Sequence, residues 1–453
     1  MSDPGVLDGD LVDLTARLGA AEISPGEVVE AALARIATDG RAFVAVEADR
    51  AIAEAKRLSA IAPDQRGPLA GAPYARKDLF GRSGYVFGAG SPLRANAVAA
   101  QTADVLASVD NAGGIDLGRL HMAEFALSPT GSNAHTPHPE NPWNPLYPSG
   151  GSSSGSAIAV AAGQVSFALG SDTGGSIRTP AGMCGLTGIK PTYGWISSAG
   201  CFPLAWSLDC MGPLAHSARD CALLLSIMSA GSAPAPDLDG DLRGMRLAVP
   251  GGFYAEGLAP EVAQNLAATI EVLRGRGAEI IHTALPDMDL VHAMTGVVMS
   301  VEAATVLGPY LRQHPDQVGI QIHKRVQPGF EHLATSYAQA LRSRVAITAE
   351  WLDKALGGAD AAILPLFQTT VPTIESTLGT PEAMLAAAST ITRFTRGLNY
   401  LGLPAVSVPS GFDPHGLPMA VQLVGRPFAD MTVLKLADAY QRDSDVHRRR
   451  PYL

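Results

Sequence analysis

The sequence predicts an α/β fold: a single large domain with a mixed, largely parallel β-sheet core covered by helices on both sides. Three observations lead there. Short apolar runs alternate with helix-periodic segments along most of the 453 residues, as in strand–helix–strand units. Hydrophobic residues make up 47% of the chain and charged residues 17%, ample for an extensive core. No internal repeat and no linker-like stretch divides the chain, so residues 1–453 read as one unit. Within it, residues 1–60 form a helical N-terminal segment, 65–215 the central part, and 216–453 a second α/β section completing the sheet and pocket.

Ser24-Pro25, followed by Val28, Val29, Ala32, Leu33 and Ile36, supplies an N-cap, a proline in the first turn and an apolar stripe at helical spacing. Residues 50–59 continue as helix. After Gly71-Ala72-Pro73, the run Tyr74-Ala75-Arg76-Lys77-Asp78 reads as a short strand ending in charge. Residues 101–114 are helical and stop at Gly113-Gly114, and Ile115 to Leu120 is a buried strand. Residues 128–156 are rich in turn formers, Ser156 to Val165 is an Ala-rich buried helix, and Val165 to Ser171 is the next strand. Further on, Met245–Val249, Glu279–Ile281, Ala361–Leu364 and Pro404–Val408 read as strands. Residues 260–276, most of 297–357 and 432–442 read as helices. Pro328-Gly329-Phe330 is expected to form a mobile loop.

A net charge of −10 without a basic block gives nucleic-acid binding no support. The N-terminal ten residues carry no positive region and no apolar core, unlike a signal peptide. The apolar stretch Ala157–Gly170 is interrupted by Gln164 and too short to span a bilayer. A cytoplasmic protein without membrane association is therefore expected, as a monomer or homodimer. Cys184, Cys201, Cys210 and Cys221 show no metal-ligand spacing and read as free, buried thiols, so no metal is expected.

The chemistry-bearing residues concentrate in three places: Lys77 at a strand end, the run Ser149-Gly150-Gly151-Ser152-Ser153-Ser154-Gly155-Ser156 before a helix, and Asp172-Thr173-Gly174-Gly175-Ser176-Ile177-Arg178 after a strand. The last run turns sharply, and its glycines leave backbone N–H groups unobstructed. Thr173, Gly174, Gly175 and Ser176 are the expected oxyanion donors beside a nucleophilic Ser176. A serine hydroxyl needs a proton acceptor. None of the 11 histidines forms a compact pattern with a serine. A neutral lysine is the other candidate base, although spacing alone does not connect Lys77 to Ser176.

The chain resembles the amidase signature family of Ser-Ser-Lys hydrolases. The resemblance rests on Gly71–Asp78, Met122–Ala126, Asn141–Asn144, Gly150–Gly155, Gly170–Arg178, Gly188–Gly194, Ser207–Asp209 with Gly212-Pro213, and Gly402–Ala405 with Gly416-Leu417-Pro418. The order of the two serine runs and their 24-residue separation fit the family as well. The resemblance implies a triad of Ser176 as nucleophile, Ser152 as the bridging serine after a cis peptide bond, and Lys77 as general base. It implies hydrolysis of a small-molecule amide-type substrate through an acyl-enzyme, without metal or organic cofactor. Aliphatic and aryl amides, acylated amines, ureas and carbamates (urethanes) share that chemistry.

Around this centre, Ser153 and Ser154 are expected to hold the turn through hydrogen bonds to backbone. Asp172 and Arg178 are expected to pair structurally, and Lys190 to be a charged loop residue near the core. Trp143, Trp195 and Trp206 are expected mainly in packing. The pocket walls are expected from residues 126–138, 200–206 and 297–335.

A catalytically silent scaffold is disfavoured by the presence of Lys77, Ser152 and Ser176, which leaves two rival readings. Gly151-Ser152-Ser153-Ser154-Gly155 matches the nucleophile elbow of α/β-hydrolases, which would make Ser153 the nucleophile of an esterase. That elbow needs a strand directly before it, and the prolines of Asn141–Pro148 argue against one. The other rival is one component of an amidotransferase, active only in a complex. Arg119-Leu120, where the family often has Lys-Thr, argues against close kinship with those amidotransferase components.

Overall fold

The computed structural model describes residues 5–232, 238 and 241–451; Met1–Pro4, part of the leading segment read above, lie outside the described residues. In chain order the strands are β1 (Phe43–Val46), β2 (Pro73–Lys77), β3 (Ile115–Leu120), β4 (Glu140–Asn141), β5 (Asn144–Pro148), β6 (Phe167–Asp172) and β7 (Thr187–Lys190). They continue with β8 (Cys210–Ala215), β9 (Arg246–Pro250), β10 (Glu279–Thr283), β11 (Ala361–Pro365), β12 (Ala405–Phe412) and β13 (Pro418–Gly425). Eleven of them join one sheet in the order β1-β3-β2-β6-β8-β7-β12-β13-β11-β9-β10, flanked by helices. The central and second sections therefore share one continuous sheet, as the mixed α/β expectation requires.

Parallel order holds in two blocks, β3-β2-β6 and β11-β9-β10. The pairings between β6 and β11 are antiparallel, as is β1 with β3. Parallel pairing is thus confined to the segments where strands and helices alternate. The middle uses direct returns that alternation does not reveal. The turn between β12 and β13 is one: Asp413 Oδ1 accepts from the N–H groups of His415 (2.8 Å) and Leu417 (2.9 Å). β8 and β13 escape sequence reading because Gly212-Pro213 and Pro418 resemble turn signals, yet both strands are almost wholly buried.

The helix Pro25–Thr38 starts as its sequence dictates. Ser24 Oγ accepts from Glu27 N at 3.2 Å, and Glu27 Oε2 accepts from Ser24 N at 2.8 Å, a reciprocal cap. The 26-residue helix Met288–Gln313 is long and apolar enough to cross a membrane by length and composition. It is instead packed into the domain, against helices Ile320–Glu331, Ala334–Trp351 and Arg396–Tyr400. The loop expected at Pro328-Gly329-Phe330 is absent; these residues finish the helix Ile320–Glu331. Gly329 sits so close to Met288–Gln313 that a Cβ would lie 1.9 Å from Ser300 O, so packing, rather than mobility, explains this glycine.

Candidate active site

The parallel block places the first two chemical elements side by side. β2 and β6 pair in register at Tyr74–Phe167, Ala75–Ala168 and Arg76–Leu169. Their C-terminal ends, where α/β sheets commonly hold ligands, bring Lys77 beside Ser171. Lys77 Nζ lies 2.7 Å from Ser152 Oγ and 2.9 Å from Ser171 Oγ, and all three residues are buried. Among the described residues, no carboxylate forms a salt bridge with Lys77. Burial lowers its ammonium to about 7, against the opposing pull of Asp172 and Asp209. Near neutral pH the amine is therefore substantially uncharged and able to accept a proton. Ser171, whose hydroxyl completes this cluster, carries no signal in the sequence, because at a strand end it reads as an ordinary small residue.

Ser152 is positioned by its neighbours. The Gly151–Ser152 peptide bond is cis, in agreement with what the resemblance implies. Gly151 passes so near the 128–131 segment that a Cβ would lie 2.4 Å from Ser128 O, which excludes a side chain there. Ala123 N donates to Ser152 O at 3.1 Å. Ser153 behaves as expected, donating its hydroxyl to Ser171 O at 3.3 Å. Ser154 differs: its hydroxyl meets the His121 ring at Nδ1, 3.0 Å away, rather than backbone.

Contrary to the expectation from its prolines, Asn144–Pro148 does form a strand, β5. It pairs only with β4 in a separate two-stranded sheet, where a proline sacrifices few ladder bonds. It ends at Pro148, five residues before Ser153. The buried Ser153 hydroxyl, committed to backbone, does not occupy the exposed position of a nucleophile elbow.

The third element leaves β6 at Asp172. Gly175 adopts φ +127°, and a Cβ there would lie 2.4 Å from Thr395 Oγ1, so the turn requires glycine twice over. Thr395 also donates its hydroxyl to Gly174 O at 2.7 Å. Asp172 organises the turn from inside. Its carboxylate accepts from Gly175 N (2.7 Å), Ile177 N (3.2 Å), Arg178 Nε (3.0 Å) and Asn399 Nδ2 (2.9 Å). Burial pushes this carboxyl up, but the Arg178 guanidinium and these bonds more than reverse it and hold it well below the usual carboxylate range. The expected Asp172–Arg178 pair is present, with both side chains fully buried. Arg178→Met would strand a buried charge, and we expect it to cost about 3–5 kcal/mol of stability, measured by chemical denaturation.

Of the four expected oxyanion donors, Gly175 has its N–H directed at Asp172 Oδ1. Thr173, Gly174 and Ser176 border the adjoining cavity. Thr173 is steadied through its hydroxyl, which donates to Asp209 Oδ1 at 2.6 Å. Burial raises Asp209 to about 6, moderated by bonds from Thr173 and from the N–H groups of Leu204 and Ala205. Ser176 is half-buried at the cavity wall, whereas Lys77 and Ser152 lie beneath the surface.

The cavity measures about 760 Å³, room for a drug-sized molecule. The three anticipated segments supply Ala126–Pro129, Leu204 and most of the helical wall from Val297 to His332. A further wall, from Leu385 to Arg396, lies outside those segments. Trp143, Trp195 and Trp206 do not line it; Trp143 donates Nε1 to Cys184 O at 2.9 Å and packs on Phe412. Lys190 is not a loop residue but the fully buried end of β7, with Nζ 2.9 Å from Pro191 O. Cys184, Cys210 and Cys221 are free and buried, and Cys201 is free and half-buried.

Residues 27–434 match the protein family described as Amidase. The chain is 35% identical to a glutamyl-tRNA(Gln) amidotransferase subunit of Neisseria gonorrhoeae, over 95% of this chain and 96% of that protein. This kinship is nearer than Arg119-Leu120 suggests. Among solved structures, one described as an amidase superposes with a TM-score of 0.87 at 31% identity, covering 96% of this chain and all (100%) of that one. The 6-aminohexanoate cyclic dimer hydrolase shares the fold, with a TM-score of 0.88 at 23% identity, covering 98% and 99% of the two chains.

Proposed function

Since the chain belongs to the amidase signature family of carbon–nitrogen hydrolases, we propose that it is a stand-alone amidase cleaving a non-peptide amide bond through an acyl-enzyme on Ser176. The observation that carries this reading is the 2.7 Å contact of Lys77 Nζ with Ser152 Oγ, made by a lysine that burial brings to about 7. The neutral Lys77 amine takes the Ser152 proton while Ser152 takes the proton of Ser176 Oγ. Ser176 then attacks the substrate carbonyl. The resulting oxyanion accepts from the N–H groups of Thr173, Gly174 and Ser176, with Gly175 N–H holding the turn through Asp172. Collapse expels the amine, which receives the proton back along the same relay. Water then attacks the ester carbonyl and releases the acid and free Ser176. Ureas and carbamates present a carbonyl open to the same attack.

Turnover of one or more members of a panel of aryl amides, fatty amides, ureas and carbamates by the purified chain tests this reading. Ser152→Ala is expected to cut kcat severely, yet less than Ser176→Ala, because Ser171 keeps a hydroxyl against Lys77.

A second reading is favoured by the 35% identity, along nearly the whole chain, to a component of an amidotransferase. In that case the protein generates ammonia for a partner and is silent alone. Size-exclusion chromatography combined with the panel separates the two, since turnover by the lone chain supports the stand-alone enzyme.

A further inference from the structure

The cavity beside Ser176 has a charge pattern at odds with the rest of the protein. The chain carries a net charge of −10. Among the described residues lining the cavity none is acidic, whereas Lys324, Arg325 and Arg396 all border it. Lys324 is exposed and faces Glu382 at 3.7 Å, so its charge is partly answered. The two arginines differ. Arg325 has neither a hydrogen bond nor a salt bridge among the described residues. Arg396 bonds to His292 Nδ1 at 3.1 Å, and its buried Nε has no partner. His292 offers no compensating charge: burial, then Arg396 and Arg393, lower its imidazolium to about 4, so the ring is neutral at pH 7. Burial, and then the positive charge of Arg396, likewise lower Arg325, to about 10, and both side chains border the same cavity.

Two guanidinium groups on one cavity, partly shielded from water without a counter-charge, are costly unless something else supplies one. The remaining wall is largely apolar, with Leu127, Val297, Met299, Ala303 and Leu385. Arg396 is also tied to the reaction centre. A Cβ on Gly174 would lie 3.5 Å from Arg396 Cβ, and the preceding Thr395 bonds Gly174 O. The cationic end of the cavity thus begins beside the nucleophile turn, and the remaining wall is largely apolar. A carboxylate is planar and accepts two parallel N–H bonds from a guanidinium fork, so it matches this end.

We propose that the substrate is an amide with an apolar middle and a terminal carboxylate, the carboxylate seated between Arg396 and Arg325. This rests on the amidase reading and specifies its substrate class. The test compares two shape-matched substrates of the purified protein: the 4-nitroanilide of glutaric acid, with a free carboxylate, and 5-methylhexanoyl 4-nitroanilide, in which an isopropyl group replaces it. We expect kcat/KM to favour the carboxylate by at least about 10-fold, chiefly through KM, because a shielded guanidinium left unpaired penalises the neutral analogue. Arg396→Met and Arg325→Gln should each shrink that ratio, and glutarate should inhibit the parent competitively but the variants poorly. Equal kcat/KM for the pair in the parent, or a preference surviving both substitutions, would overturn the carboxylate site while leaving the amidase reading intact. If neither anilide turns over and no member of the neutral panel does either, the amidase reading fails and the substrate class falls with it.

Discussion

Ser176→Ala is expected to lower amide turnover by roughly 10⁵–10⁶-fold while leaving the fold intact. Ser176 stands at the rim of the cavity, where the change removes only one hydroxyl oxygen. The buttresses of its turn, Asp172, Arg178, Thr395 and Asn399, remain in place. Unchanged thermal unfolding together with lost kcat would assign the hydroxyl to chemistry. The same variant should fail to react with a fluorophosphonate that labels the parent, whereas Ser153→Ala should still react. Losses from Ser176→Ala and Lys77→Ala should not add in the double variant, because the proposed relay joins the two residues.

Lys77→Ala carries the second large effect, at least about 10³-fold in kcat/KM, and it should change the shape of the pH profile. In the parent, Lys77 titrates at about 7, and only its neutral form accepts a proton. Activity should therefore fall tenfold per pH unit below that midpoint and level off above it. In Lys77→Ala this acid limb should vanish, leaving a low, flat profile. The same titration affects stability. Lys77 in the folded protein (about 7) lies below its ordinary value of 10.5, so between these pH values the unfolded chain binds the extra proton. Parent stability should then rise with pH across that window by about 1 kcal/mol per unit, and the slope should disappear in Lys77→Met. Denaturant titrations at pH 7, 8 and 9 read this directly.

The sequence made the motif-bearing parts of the site legible and left the supports around them hidden. Ser152 and Ser176 stand in runs whose glycines and serines are unusual in composition, and Lys77 stands in a run matching the family the chain resembles. The expected Asp172–Arg178 pair is local, six residues apart, and so could be read in one dimension. Thr395 and Asn399 lie more than 220 positions from the turn they brace and carry no local signal. Arg325 and Arg396 escape for the same reason: each reads as a solvated helix charge until the fold turns it toward one cavity. The fold departs from the sequence expectation for a related reason. Pro418 and Gly212-Pro213 look like breaks, yet tertiary pairing makes strands of β13 and β8. Pro328-Gly329 looks like a hinge, yet a glycine is needed there for helix packing against Ser300.

The central claim is that a lysine-activated relay makes Ser176 a covalent nucleophile. Quenching the purified protein with acid during turnover of an amide, followed by peptide mass analysis, tests this most directly. The account predicts an acyl group on the peptide containing Ser176, absent from Ser176→Ala. An acyl group on Ser153, or turnover with no covalent adduct at any time point, would contradict it.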